Sequence, residues 1–135
     1  MRRPSPIIRP AFGGQSPYLD PNESHARFYG AWRHLESFKT LSPLQRCLLQ
    51  DILMGFNKHI GNEVRLTASG VRRRYRVGHK TARDAICALE LRGWIDRIGL
   101  GPGPTGQAGG LYELLCMDPL GNRIRGPYLD WQSDD

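Results

Sequence analysis

Between Leu66 and Ile98 the chain carries two short helical patterns joined by a tight connection, and a strand-like run follows at once. The first pattern puts Ala68, Val71 and Tyr75 on one face, at i, i+3 and i+7. The second gathers Ala82, Ala85, Ile86 and Leu89, at i, i+3, i+4 and i+7. Alanines at the crossing let two helices approach closely. Gly93 stops the second helix, and Trp94-Ile95 opens a strand. A chain organised around such a unit has few architectures open to it. The expectation is a mainly α protein with a small β-hairpin wing, an α+β winged helix-turn-helix.

Charge is densest in the same stretch. From Val71 to Arg97 there are eight Lys/Arg (Arg72, Arg73, Arg74, Arg76, Lys80, Arg83, Arg92, Arg97) against three acids (Asp84, Glu90, Asp96), a net of +5. The segment before it carries +4 and the segment after it −3, which together give the +6 of the chain. A basic patch on two adjoining helices suits a polyanion, because each phosphate contact releases condensed counterions. The bland alternative is a solvated basic face.

Ser42-Pro43 starts a helix with a hydroxyl cap and a proline in the first turn. That helix is expected to run to about Asn57 and to bury Leu44, Cys47, Leu48, Ile52 and Phe56 along one stripe. Before it, Phe28, Trp32 and Leu35 at i, i+4 and i+7 predict one helix over about 24–38, with Tyr29 and Trp32 in the core. Glu63-Val64-Arg65-Leu66 alternates and reads as a short strand that pairs with the wing. Thr67 or Ser69 is the candidate cap of the helix that follows. The wing is assigned to Trp94–Ile98 and Gly110–Cys116, with GLGPGPTGQAGG as its tip. That glycine run lacks the Gly-Lys-Ser/Thr ending of a phosphate-binding P-loop, so a hairpin tip is the better reading.

Three parts follow: a flexible basic arm over 1–22, a winged domain over 23–116 and a polar, turn-rich tail over 117–135. The arm is rich in Pro, Gly and Arg, and its Arg2, Arg3 and Arg9 are placed to reach a phosphate backbone or minor groove. Pro17-Tyr18-Leu19-Asp20 recurs as Pro127-Tyr128-Leu129-Asp130, far too short a repeat for a solenoid but compatible with a docking motif used twice. No apolar run is long enough to cross a bilayer, and prolines break the N-terminus before an apolar segment forms. Cys47, Cys87 and Cys116, odd in number and set in apolar patterns, read as reduced core or half-buried thiols of a cytoplasmic protein.

The chemistry of an enzyme is not visible. His25, His34, His59 and His79 are scattered, and no CxxC pair supports a closed zinc site. Cys87 lies one helical turn from Arg83, but nothing else suggests a nucleophile, and an ordinary helix thiol is the better reading. The expectation is no enzyme, no metal and no cofactor.

Leu66 through Ile95, with AICALELRGWI as its second half, resembles the "A-L-x-x-L-x-x-x-G-W/F-I" ending of bacterial winged helix-turn-helix DNA-binding proteins. A longer frame is similar to small winged-helix proteins of phages and integrated mobile elements. It comprises Ala31-Trp32-Arg33, Leu41-Ser42-Pro43, Phe56-Asn57, Gly61-Asn62 and Lys80-Thr81-Ala82, and the resemblance covers about residues 30–116. It implies that His79, Lys80, Thr81, Arg83 and Asp84 begin a recognition helix that meets base edges in the major groove. On the face opposite the apolar stripe stand Lys80, Asp84 and Cys87, with Arg83 at the flank. Arg or Lys favours guanine, and an acid accepts from a cytosine amine. Arg72, Arg73, Arg74 and Arg76 are the expected phosphate contacts, joined by Arg97 at the base of the wing.

Two departures stand out. A turn position that is often glycine is Arg76 here, with Gly78 expected to supply the flexibility. The wing from Ile98 to Leu111 has no Lys or Arg. The leading expectation is therefore a sequence-specific binder of double-stranded DNA, a transcriptional regulator of a phage or mobile element working as a homodimer. An excision or replication accessory factor belongs to the same class. The competing class is a winged-helix protein-interaction module that recruits a partner through its uncharged wing or its tails.

Overall fold

The structure is a computed structural model and describes residues 28–56, 59, 61–100 and 110–134. The basic arm with Arg2, Arg3 and Arg9, the first Pro-Tyr-Leu-Asp copy and most of the hairpin tip lie outside the described residues. Those described form a mixed α+β protein with four α-helices and one three-stranded antiparallel sheet. No helix among them is long and apolar enough to cross a membrane.

In chain order the elements are α1 (Glu36–Lys39), α2 (Pro43–Met54), β1 (Glu63–Leu66), α3 (Ala68–Tyr75), α4 (His79–Leu91), β2 (Ile95–Leu100) and β3 (Gly110–Leu114). A 3-10 turn at Gly30–His34 precedes α1, and another at Pro127–Leu129 follows the sheet. The sheet order is β1-β3-β2, so the expected pairing of Glu63–Leu66 with the hairpin is present. Tyr112 on the central strand faces Val64 on one side and Arg97 on the other.

The start of α2 is more tightly specified than its Ser-Pro signal suggested. The Ser42 hydroxyl accepts from the Gln45 amide at 3.2 Å, and Gln45 Oε1 accepts from the Ser42 amide at 2.9 Å. Two amides that the first turn leaves without intrahelical partners are thus satisfied reciprocally. The buried stripe is Leu48, Leu49, Ile52 and Leu53, rotated from the expected one. Cys47 consequently stands exposed, as does Cys87, while Cys116 is buried with its thiol pushed up to about 12 by that burial. The expectation that all three thiols are core or half-buried holds only for Cys116.

The single helix expected over 24–38 is not formed. Its described part is broken at Leu35, which is extended at φ −81 and ψ 137 between the 3-10 turn and α1. The cause is tertiary. Trp32 and Ser37 are both buried against the same partners, yet five residues on one helix point roughly 140° apart. Trp32 meets Trp94 edge-on at 5.0 Å, and Ser37 donates to the Tyr128 carbonyl at 2.6 Å while its own carbonyl accepts from Trp94 Nε1 at 3.1 Å. Breaking the helix between them lets both face inward.

Residues 117–131 are no tail. Tyr128 is 1% exposed and stacks on Trp94 with ring centroids 4.6 Å apart. Its hydroxyl donates to the Ile124 carbonyl at 2.6 Å. The segment reaches this seat through a turn in which the Asp118 carboxylate accepts from the Leu120 and Asn122 amides. Gly93, at φ +84, makes the closing contact possible, because a Cβ there would lie 2.7 Å from both the Pro127 Cβ and the Tyr128 amide nitrogen. The second Pro-Tyr-Leu-Asp copy is therefore a structural plug over Trp94.

Candidate nucleic-acid interface

Helix α3 is capped by Thr67, whose hydroxyl accepts from the Gly70 amide at 2.8 Å, so the first of the two candidate caps is the one used. Val71 is its one fully buried residue, and Tyr75, a turn later, is half-buried. With Val71 facing inward, Arg72, Arg73 and Arg74 fan out around the exposed side at about 100° per residue. They also occupy the last turn, where cations complement the helix dipole.

The turn into α4 is Arg76-Val77-Gly78. Arg76 itself adopts the left-handed conformation, at φ 56 and ψ 50. Gly78 was the residue expected to supply that freedom, but its φ is −73 and it serves as the extended cap residue of α4. An L-residue with a Cβ is strained in this region, and arginine gains nothing there that glycine would not give more cheaply.

Helix α4 buries Ala82, Ala85, Ile86, Ala88 and Leu89, with Ala82, Ala85 and Leu89 at 0% exposure. The backbone of α4 is thereby held flat against the core. All six residues expected to read bases, His79, Lys80, Thr81, Arg83, Asp84 and Cys87, are left exposed. Its first turn has neither an acid nor a side-chain cap, so the leading amides are left without a side-chain acceptor among the described residues. Amides so placed suit an anionic oxygen. One ion pair lies on this face: Lys80 Nζ stands 2.9 Å from Asp84 Oδ2.

Not every basic residue of the stretch is free for a partner. Arg74 Nε donates to Asp51 of α2 at 2.9 Å, although its side chain stays 65% exposed. Arg92 donates to Thr40 Oγ1 at 2.8 Å and lies 4.7 Å over the Trp131 ring, and burial lowers its pKa. Arg73 reaches back to Ser69 Oγ at 2.9 Å. Arg97 lies across Gly110, where a Cβ would approach its Nε to 2.9 Å. Burial first, then the charges of Glu90 and Cys87, push the Tyr112 phenol up, while Arg97 opposes them. Arg97 thus belongs to the surface where the sheet meets the second half of α4. Arg72 and Arg73 are exposed in the last turn of α3 and Arg76 in the turn into α4, and Arg65 on β1 is a further exposed cation that the sequence reading left unassigned.

Asp51 is the other residue that sequence reasoning missed. Tyr75 donates its hydroxyl to the same Asp51 oxygen that Arg74 contacts, so one carboxylate ties α2 to the last two residues of α3. Partial burial raises the Asp51 pKa, but the bonds from Tyr75 and Arg74 and the guanidinium charge outweigh it and hold the group below its ordinary 3.8. Tyr75 is pushed up to about 12, by burial and then by Asp51. The two signs set opposite limits. The Asp51 contribution is whole above its ordinary value and lost as pH falls through the lower folded one, whereas that of Tyr75 is whole below 10.0 and lost as pH rises through about 12. Asp51→Asn should therefore lower stability to urea at neutral pH, with the gap from wild type closing below pH 3.8. A gap that stays constant with pH would remove this account of the cluster.

Among the described residues no group of three or more His, Cys, Asp and Glu is placed to hold a metal ion. No protein-family model matches the chain, and no characterised protein or solved structure is similar enough to count as a match.

Proposed function

We propose that this chain is a winged helix-turn-helix protein that binds double-stranded DNA in a sequence-specific way. In this reading α3 and α4 are the helix pair, α4 enters the major groove and the β2–β3 hairpin is the wing. One observation carries it. Helix α4 is pinned by fully buried Ala82, Ala85 and Leu89 while His79, Lys80, Thr81, Arg83 and Asp84 are exposed at its start, and Arg72, Arg73 and Arg76 are exposed on the preceding helix and turn. Side chains at the start of such a helix reach base edges, and the flanking arginines suit phosphates. Cys87, a turn further along, and Arg97 on β2 flank that surface.

The biological role proposed is regulation of transcription in a phage or mobile element, which rests on the sequence resemblance over residues 30–116. An excision or replication accessory factor would use the same surface. A single helix reads few base pairs, so the binding unit is a homodimer on paired half-sites about 10 bp apart or a multiple of that. Sedimentation of a monomer both free and on its best site would remove the dimer. A protein-interaction role is favoured by one observation, the exposed Ile98 on a hairpin strand without lysine beyond Arg97.

Selection of bound sequences from a random duplex pool, followed by affinity against salt, tests the reading. A DNA binder loses affinity steeply with salt, and replacing Arg72 or Arg73 by alanine flattens the slope by about one unit on every duplex. Absence of any salt-dependent duplex binding would leave the protein-interaction role in its place. Arg76→Gly gives a sharper result, because its two effects have opposite sign. Relief of the left-handed strain, less the added freedom of the unfolded chain, should stabilise the fold by up to about 1 kcal/mol. Loss of the guanidinium should at the same time weaken duplex binding. A variant that is both less stable and unaltered in binding would count against a phosphate contact at this turn.

A further inference from the structure

Asp84 has no structural reason to be where it is. It is the single acid between Leu66 and Leu89, in a run that holds six basic residues, Arg72, Arg73, Arg74, Arg76, Lys80 and Arg83. It stands on the outward face of α4, 55% exposed, four residues after its partner Lys80, which is 82% exposed. A pair so open to water adds next to nothing to stability, and a cation placed before the acid is the weaker orientation along a helix. Asp84 also lies beyond the first turn, where an acid would profit from the helix dipole. Aspartate is moreover a poor helix former.

The charge acts on the surface instead. Paired to Asp84 at 2.9 Å, Lys80 presents almost no net charge to a distant phosphate, and Arg83, one residue before Asp84, is left without an ion pair among the described residues. We propose that Asp84 determines specificity by exclusion: its carboxylate neutralises Lys80 and repels phosphates, so that duplexes offering only backbone contacts are held weakly. A correct site compensates, since base edges that satisfy Arg83 and Lys80 offset the repulsion, and a wrong one does not. Discrimination is a difference of two affinities, and weakening the wrong partner raises it as surely as strengthening the right one. This inference rests on the DNA-binding reading of α4.

Asp84→Asn in the full chain is the test, because it keeps size and hydrogen bonding and removes only the charge. The probes are a duplex of mixed sequence and the duplex selected by the wild-type protein from a random pool. The variant should bind the mixed duplex several-fold tighter, with a salt slope steeper by about one unit for the freed Lys80. Its ratio of selected to mixed affinity should fall, with an unchanged circular dichroism spectrum. Two results would overturn the inference while leaving DNA binding intact. In one, the mixed-duplex affinity and slope match wild type. In the other, only the selected duplex weakens, which would make Asp84 a direct reader of a base. Wild-type protein that binds neither duplex overturns the DNA-binding reading and this inference with it.

Discussion

Replacing Tyr128 by alanine should remove most of the stability of the fold. The ring is sealed from water, stacks on Trp94 at 4.6 Å and meets Trp32 edge-on at 6.0 Å. Truncating a large buried aromatic side chain costs roughly 3–5 kcal/mol, because the site cannot collapse around the hole. Native domains hold only about 5–15 kcal/mol in total, and at this size each kcal/mol is worth a few °C in Tm. The variant should therefore melt far below wild type, with lost cooperativity if the parent is marginal. Tyr128→Phe gives the scale, since it removes only the bond to the Ile124 carbonyl at 2.6 Å and should cost about 1 kcal/mol or less. An alanine variant within about 0.5 kcal/mol of wild type, the range of an ordinary surface change, would mean that residues 117–131 are a tail after all.

That plug marks where the sequence could be read and where it could not. The helices α2, α3 and α4 announce themselves locally, through Ser42-Pro43, Thr67, Gly93 and apolar spacing that needs no distant partner. Ala82, Ala85, Ile86 and Leu89 are buried on α4 as their helical period requires, and Ala88, outside the expected stripe, is buried with them. Segments whose conformation depends on remote contacts were misread. Trp32 and Ser37 look like one helix until Trp94 and Tyr128, at least 57 residues away, demand both on the same side. The α2 stripe shifted to include fully buried Leu49 and Leu53 because α2 packs against α4, a partner that α2 alone does not encode. Pro127-Tyr128-Leu129-Asp130 is polar enough to pass for a loop, and only the close packing at Gly93 reveals its seat.

The candidate site shows the same division. Its exposed residues were legible as charge plus periodicity. The internal ties were not. Arg74 to Asp51 spans 23 residues, and Arg92 to Thr40 spans 52. A count of arginines therefore overstates the cations free to meet a phosphate.

Arg83→Ala is expected to abolish preference for the selected duplex while leaving most low-salt binding and the fold in place. Arg83 follows fully buried Ala82 and precedes fully buried Ala85, so its exposed stem leaves a helix that the core holds in register. Unlike Lys80, Arg74 and Arg92 it carries no ion pair or hydrogen bond among the described residues, and its guanidinium is free to make a bidentate contact to a guanine edge. Such a contact is worth about 1–3 kcal/mol of discrimination, or roughly 5- to 150-fold between right and wrong sites. Non-specific affinity should drop only by the share of one phosphate-range cation, a slope change of about one unit at most. The contrast with Asp84→Asn is the useful part: both lower the specificity ratio, one by weakening the right site and the other by strengthening the wrong ones. If Arg83→Ala keeps the wild-type ratio, sequence is read elsewhere, and the arm with Arg2, Arg3 and Arg9 becomes the place to look.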